Sequence, residues 1–169
     1  MKNKAVTSAL LAVCISFTGV PVASAQDHDS APGYAALEGV VSSKTVFDIR
    51  TVNPKYASLQ LKLIRQTHQE LAAMKQSPVT TVVFIGQSVK LVSKSREGFT
   101  PDDQKFLDEI VESVSALSKE GIGMELCLVA ARVNNVDPAT ILPEITQVEN
   151  GYVSVIGYQA KGYSLVPVY

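Results

Sequence analysis

One side chain in this sequence has both the type and the setting for covalent chemistry. Cys127 stands near the end of the strand candidate Met124 to Val129, just before Ala130-Ala131-Arg132, which can open a short helix. A thiol acts as nucleophile and sulfur acceptor in its thiolate form, and a helix N-terminus favours that anion. Arg132 adds positive charge if the chain turns back over the strand end. The competing reading is packing, because a free Cys behaves as a small hydrophobe and is among the most buried residue types.

Other reactive residue types lack partners at useful spacing. His28 lies between Asp27 and Asp29 in a polar stretch and reads as part of a solvated tail. His68 falls at the border of an apolar helix face, and two distant His with one Cys do not make a zinc site, so no metal is expected. Gly86-Gln87-Ser88 lacks the Gly-Lys pair of a phosphate loop, and Ser88 has no nearby His for a hydrolase triad. No cofactor is expected. Glu109, Glu112 and Glu120 follow helical spacing and read as a solvated face. Tyr152, Tyr158, Tyr163 and Tyr169 read as core, with an oligomer interface as the alternative.

The elements that must position Cys127 follow from periodicity. Thr45 to Ile49 is a β-branched and aromatic strand, broken at Asn53-Pro54. Tyr56, Leu59, Leu63, Thr67, Leu71 and Met74 recur every three or four residues, which predicts one buried helix face that Pro78 ends. Val79 to Ile85 is a continuous apolar run, as in a strand covered on both sides, and a short helix follows around Val89 to Val92. Thr100-Pro101-Asp102-Asp103 starts a helix with buried positions Phe106, Leu107, Ile110, Val111, Val114 and Leu117, and Gly121 caps it. Met124 to Val129 is the third strand. Asp137-Pro138 starts a helix that Pro143 stops, Ile145 to Val148 and Tyr163 to Val166 are strands, and Gly151 to Ala160 is a small helix. This alternation predicts a single α/β domain with a mainly parallel sheet and helices on both faces. Sites in such sheets lie beyond the carboxyl ends of the strands, here Arg50 to Asn53, Gly86 to Ser88 and Cys127 to Asn135.

Composition narrows the classes. The chain has 169 residues, a net charge of −1 and two cysteines, which excludes a disulfide scaffold and gives no basic footprint for nucleic acid. Lys2 and Lys4, the uncharged stretch from Ala5 to Val22 and Ala23-Ser24-Ala25 form an export signal, with cleavage expected between Ala25 and Gln26. The polar residues Thr7, Ser8, Ser16 and Thr18 disfavour a membrane anchor, so no membrane association is expected after cleavage. Cys14, the other cysteine, is an apolar residue of that signal. The mature chain then has 144 residues, a charge of −3 and Cys127 as its lone thiol, in the periplasm or outside the cell. Residues 26–43 read as an exposed leader, in which Tyr34 to Val41 can dock as a short helix, and residues 44–169 as the domain.

The stretch Leu126-Cys127-Leu128-Val129-Ala130-Ala131-Arg132, followed by Val136-Asp137, resembles the signature segment of the DsrE/F-like sulfur-relay family. Leu142-Pro143, Gly151-Tyr152-Val153 and Gln159-Ala160-Lys161-Gly162-Tyr163 resemble the ending of its exported members. Val46 to Ile49, Val82 to Gly86 and Val89-Lys90-Leu91 fall in register, so the resemblance spans roughly Lys44 to Val166. It implies a five-stranded, mostly parallel sheet, assembly into homotrimers or hexamers, and a persulfide carried on Cys127. One departure stands out: relatives often place a His before the Gly that ends the second strand, where this chain has Ile85.

Three functional readings result. In the first, Cys127 accepts a sulfane sulfur from a donor protein or molecule and passes it on, with Asn53, Gln87 and Arg132 as rim groups. In the second, the fold is a non-catalytic binding or assembly module, favoured by the absent His and by an oxidising compartment. The third is an intermolecular disulfide through the odd Cys.

Overall fold

A computed structural model of the chain describes residues 33–169. The export signal, its cleavage point and residues 26–32 of the leader lie outside the described residues. Residues 37–169 form one compact unit. Ala35–Leu37 is a 3₁₀ turn with no buried residue.

The compact unit alternates strands and helices: β1 Ser42–Ile49, α1 Pro54–Ala73, β2 Ser77–Phe84, α2 Gln104–Lys119, β3 Gly123–Cys127, α3 Leu128–Val133, β4 Thr146–Val148, α4 Gly151–Ala160 and β5 Ser164–Val168. The strands form one sheet in the order β4-β3-β2-β1-β5, with every pair parallel. Parallel strands need crossovers, and the helices supply them on both faces. The α/β architecture read from the sequence is therefore observed.

Strand alternation divides the core. Phe47, Ile49, Val82, Phe84, Met124 and Leu126 point to one face, which α1 covers with Ala57, Leu61 and Ile64, and α2 with Leu107, Ile110, Val114 and Leu117. Val46, Asp48, Val83, Ile85, Glu125 and Cys127 point to the other face. There α4 lies across β1, β2 and β3 and buries Gly151 and Val155.

The buried stripe of α1 differs from the one its spacing predicts. Tyr56, Leu59, Leu63 and Met74 are exposed, while Pro54, Ala57, Ser58, Leu61 and Ile64 face inward. The helix carries two apolar stripes, and the inner one has the smaller residues. Ala57 and Ser58 let α1 approach its neighbours closely, and Ser58 Oγ donates to Glu109 of α2 at 2.6 Å.

Pro78 does not end α1 either. The helix stops at Met74, Lys75 turns the chain at φ 60°, and Pro78 lies inside β2 opposite Ser43. β3 joins β2 only from Thr81 onward, so β2 is an edge strand at Pro78, where a missing N–H is tolerated.

Three smaller boundaries shift. β3 ends at Cys127, with Val129 already in α3. Asp137-Pro138 starts only the 3₁₀ turn Pro138–Thr140, in which Asp137 caps the Ala139 amide. Gly86–Val92 is likewise a 3₁₀ segment.

The acids of α2 also do more than face water. Glu109 accepts from Ser58 and Lys62, and Glu120 from Arg65 and Gln69, so both tie α2 to α1 and have carboxyl pKa values below the ordinary range. His68 reaches Thr80 at 3.0 Å, and Ser88 is fully buried, donating to the carbonyls of Ile49 and Ile85. Both have structural partners. Tyr158 and Tyr163 pack against the core with their rings edge to face, whereas Tyr152 and Tyr169 are exposed, so the tyrosine cluster is divided.

Candidate functional site

Strand register places a row of residues along the carboxyl edge of the sheet. Ile49 pairs with Phe84, Phe84 with Leu126, and Cys127 with Val148. One step beyond the first two pairs, Arg50, Ile85 and Cys127 fall on one line and point to the α4 face. Two strand spacings separate Arg50 from Cys127, about 10 Å between backbones.

Cys127 ends β3 and is the N-cap residue of α3. Its Sγ accepts a hydrogen bond from the Ala130 amide at 3.4 Å. A backbone N–H directed at sulfur is the interaction a thiolate retains, and α3 contributes the positive end of its peptide dipoles. The thiol is nonetheless closed to solvent, with the residue 2% exposed.

What closes it is the start of α4. A Cβ on Gly151 would stand 2.9 Å from Cys127 Cβ and 2.9 Å from Ile85 Cγ1. Only glycine permits this approach, because carbon atoms in contact sit at roughly 3.5–4.0 Å. Asn150 holds the first turn of α4 in place, its side chain accepting from the Tyr152 amide at 3.0 Å. Ile85, where a base was looked for, is an apolar wall of the same contact.

Positive charge on this row comes from Arg50. Its Nε and Nη2 donate to Oδ2 of Asp48 at 2.8 and 2.6 Å, and Nη1 donates to the Tyr152 hydroxyl at 3.2 Å. The guanidinium also lies 5.1 Å from the centre of the Tyr152 ring, a cation–π distance. Asp48 is buried, and its hydrogen bond holds the Arg50 pKa above the ordinary value. The other oxygen of Asp48, Oδ1, has no partner among the described residues. Below Cys127 on the same face, Glu125 accepts from the Tyr158 hydroxyl at 2.7 Å. Burial, with that bond second, pushes the Tyr158 pKa up to about 12.

The expected rim groups are dispersed. Arg132 is exposed and pairs with Glu149 at 2.5 Å, which raises its pKa and lowers that of Glu149; Cys127 makes a smaller contribution to Arg132. Asn53 is the N-cap of α1, its side-chain oxygen accepting from the Tyr56 amide at 2.9 Å. Gln87 is exposed on the 3₁₀ segment after β2. Asn134 links α3 back to that segment, donating to the Gly86 carbonyl at 3.3 Å.

Arg50, Asp48 and Gly151 are the members of the site that motif reading passes over. The signal for the first two is period 2: an acid and a base at alternate positions of an apolar strand share a face, just before its carboxyl end. The role of Gly151 depends on a contact between elements far apart in the chain.

Fold and site together define an α/β protein with one parallel sheet and, among the described residues, a single cysteine at its carboxyl edge. Residues 44–168 match the DsrE/DsrF-like family, and the chain belongs to that family. It is 24% identical over 124 residues to an uncharacterized protein of Aquifex aeolicus (strain VF5), covering 73% of this chain. The match spans 55% of that relative, a little over half its length. Among solved structures, the fold is similar to MTH1491 of Methanobacterium thermoautotrophicum, a protein of unknown function. That likeness has a TM-score of 0.59 at 18% identity over 74% of this chain and 98% of the other. It is also similar to the ychN protein of E. coli, with a TM-score of 0.50 at 12% identity over 75% and 99% of the two chains.

Proposed function

We propose that this protein is an exported sulfur carrier that holds sulfane sulfur as a persulfide on Cys127. The observation that carries the reading is the placement of Cys127: the end of a central parallel strand, with a backbone amide directed at its sulfur, in a chain of the DsrE/DsrF-like family. In the loading step the first turn of α4 lifts from Cys127, and the exposed thiol gives its proton to water. The thiolate attacks the outer sulfur of a polysulfide or organic persulfide, an Sγ–S bond forms, the donor S–S bond breaks, and the donor leaves as a thiolate. Unloading repeats the exchange with an acceptor thiolate attacking the outer sulfur. Export rests on the segment before Gln26.

Assembly into a homo-oligomer is part of this reading. Its support is the outward stripe of α1, where Tyr56, Leu59 and Leu63 expose 41, 50 and 42% of their surface. Large apolar side chains grouped on one helix face mark interaction surfaces.

Incubating the mature protein with polysulfide and weighing it intact tests the carrier. A mass gain of whole sulfur atoms that disappears in Cys127→Ser is the expected result. No gain, or an equal gain in the variant, refutes it. The closed thiol favours a second reading, a binding or assembly module without sulfur chemistry. Under that reading Cys127 resists alkylation in the native protein and labels only after unfolding.

A further inference from the structure

A cavity of about 400 Å³ opens at the far end of α3 from Cys127, in the size range of small-molecule sites. We propose that it binds a small zwitterion of amino-acid to dipeptide size. This site is independent of the sulfur chemistry, since Cys127 caps one end of the six-residue α3 and Asn134 the other.

The walls are fixed by the chain's own hydrogen bonds. Ser93 bridges to Ile141 across the floor, Leu142 N donates to the Val92 carbonyl at 3.0 Å, and Lys94 N donates to the Thr140 carbonyl at 2.7 Å. The Ser93 and Thr140 hydroxyls meet at 2.7 Å. Asn135, left-handed at φ 54°, closes α3, its amide and that of Val136 donating to the Arg132 and Ala131 carbonyls. The cavity is thus a formed feature rather than a gap between loose loops.

Its charges define the ligand. Lys90 lines it half-buried, with Glu97 and Asp137 also on the lining. Lys90 forms no ion pair among the described residues, and neither carboxylate is neutralised by a basic group there. A simple anion meets two acids for one base, and a simple cation meets Lys90. A ligand carrying both a carboxylate and an ammonium satisfies all three groups. Phe99 and Val136, both packed against the core, offer an apolar wall for a short aliphatic part.

The test is amide NMR on the full chain, titrated with glycylglycine and with L-alanine to roughly 10 mM, beyond the weak end of specific recognition. Phosphate serves as the anion probe and trehalose as the neutral one. Saturable shifts confined to residues 90–99 and 134–140, with the zwitterions only, are expected. Lys90→Gln and Glu97→Gln, both on the cavity surface and checked for fold by circular dichroism, are each expected to weaken binding about tenfold. Absence of saturation with both zwitterions overturns the proposal. So does equal binding of phosphate or trehalose, or affinity unchanged in folded Lys90→Gln.

Discussion

Replacing Gly151 by Ala tests the closure of Cys127 most directly. The added methyl would lie 2.9 Å from Cys127 Cβ and from Ile85 Cγ1, about 0.6–1 Å inside ordinary carbon contact. Neither atom is the free end of a long side chain, so relief requires the first turn of α4 to lift from the sheet. Overpacking of this kind costs about 1–3 kcal/mol, and the better helix propensity of Ala returns at most about 1. The expected net loss is about 1–2 kcal/mol, with a melting point lower by about 2–4 °C per kcal/mol. The lifted turn also uncovers sulfur, so native Cys127 should react faster with an aromatic disulfide reagent in Gly151→Ala than in the wild type. Urea unfolding gives the first number and thiol titration under native conditions the second. A variant as stable as the wild type, with an unchanged labelling rate, would show that α4 does not seal the thiol.

Other consequences are equally open to measurement. Arg50→Leu strands the buried Asp48 carboxylate and should cost about 3 kcal/mol in urea unfolding, more than Asp48→Asn, because the guanidinium is partly hydrated and its pair lies between surface and buried strengths. Tyr158 has a folded pKa near 12 against 10 when unfolded. The folded state therefore binds this proton more tightly; its contribution is full below pH 10 and is lost as pH rises towards 12. Tyr158→Phe should accordingly lose less stability than the wild type over that window in alkaline unfolding. Charging the outer stripe of α1 by Leu59→Glu with Leu63→Glu should dissociate the proposed homo-oligomer in analytical ultracentrifugation while leaving the circular dichroism spectrum intact, because neither residue is in the core.

Much of the sheet was legible because its signals are local. The apolar run from Val79, the capping box at Thr100 and Asp103, and the helix from Gly151 to Ala160 all lie where one-dimensional patterns put them. The buried face of α1 was not legible in the same way. Its two apolar stripes are equivalent until a sheet and a neighbouring helix choose between them, and small residues decided that choice. At the site, Cys127 could be placed from strand and helix periodicity alone. Its burial could not, since Gly151 and Ile85 meet it only through the crossing of α4. Arg132 pairs with Glu149 while its charge still reaches Cys127, and register adds Arg50 to the row about two strand spacings away.

The route of α4 also sets an order of events. Cys127 lies between β2 and β4, and the helix that covers it is strung between β4 at one border of the sheet and β5 at the opposite border. β5 must find β1, more than a hundred residues earlier, as Thr45 pairs with Ser164. Contacts of such sequence separation form slowly because their loop entropy must be overcome first. The expected order is that the strand of the thiol forms before its cover docks. A short alkylation pulse applied at increasing times of refolding would time the arrival of α4.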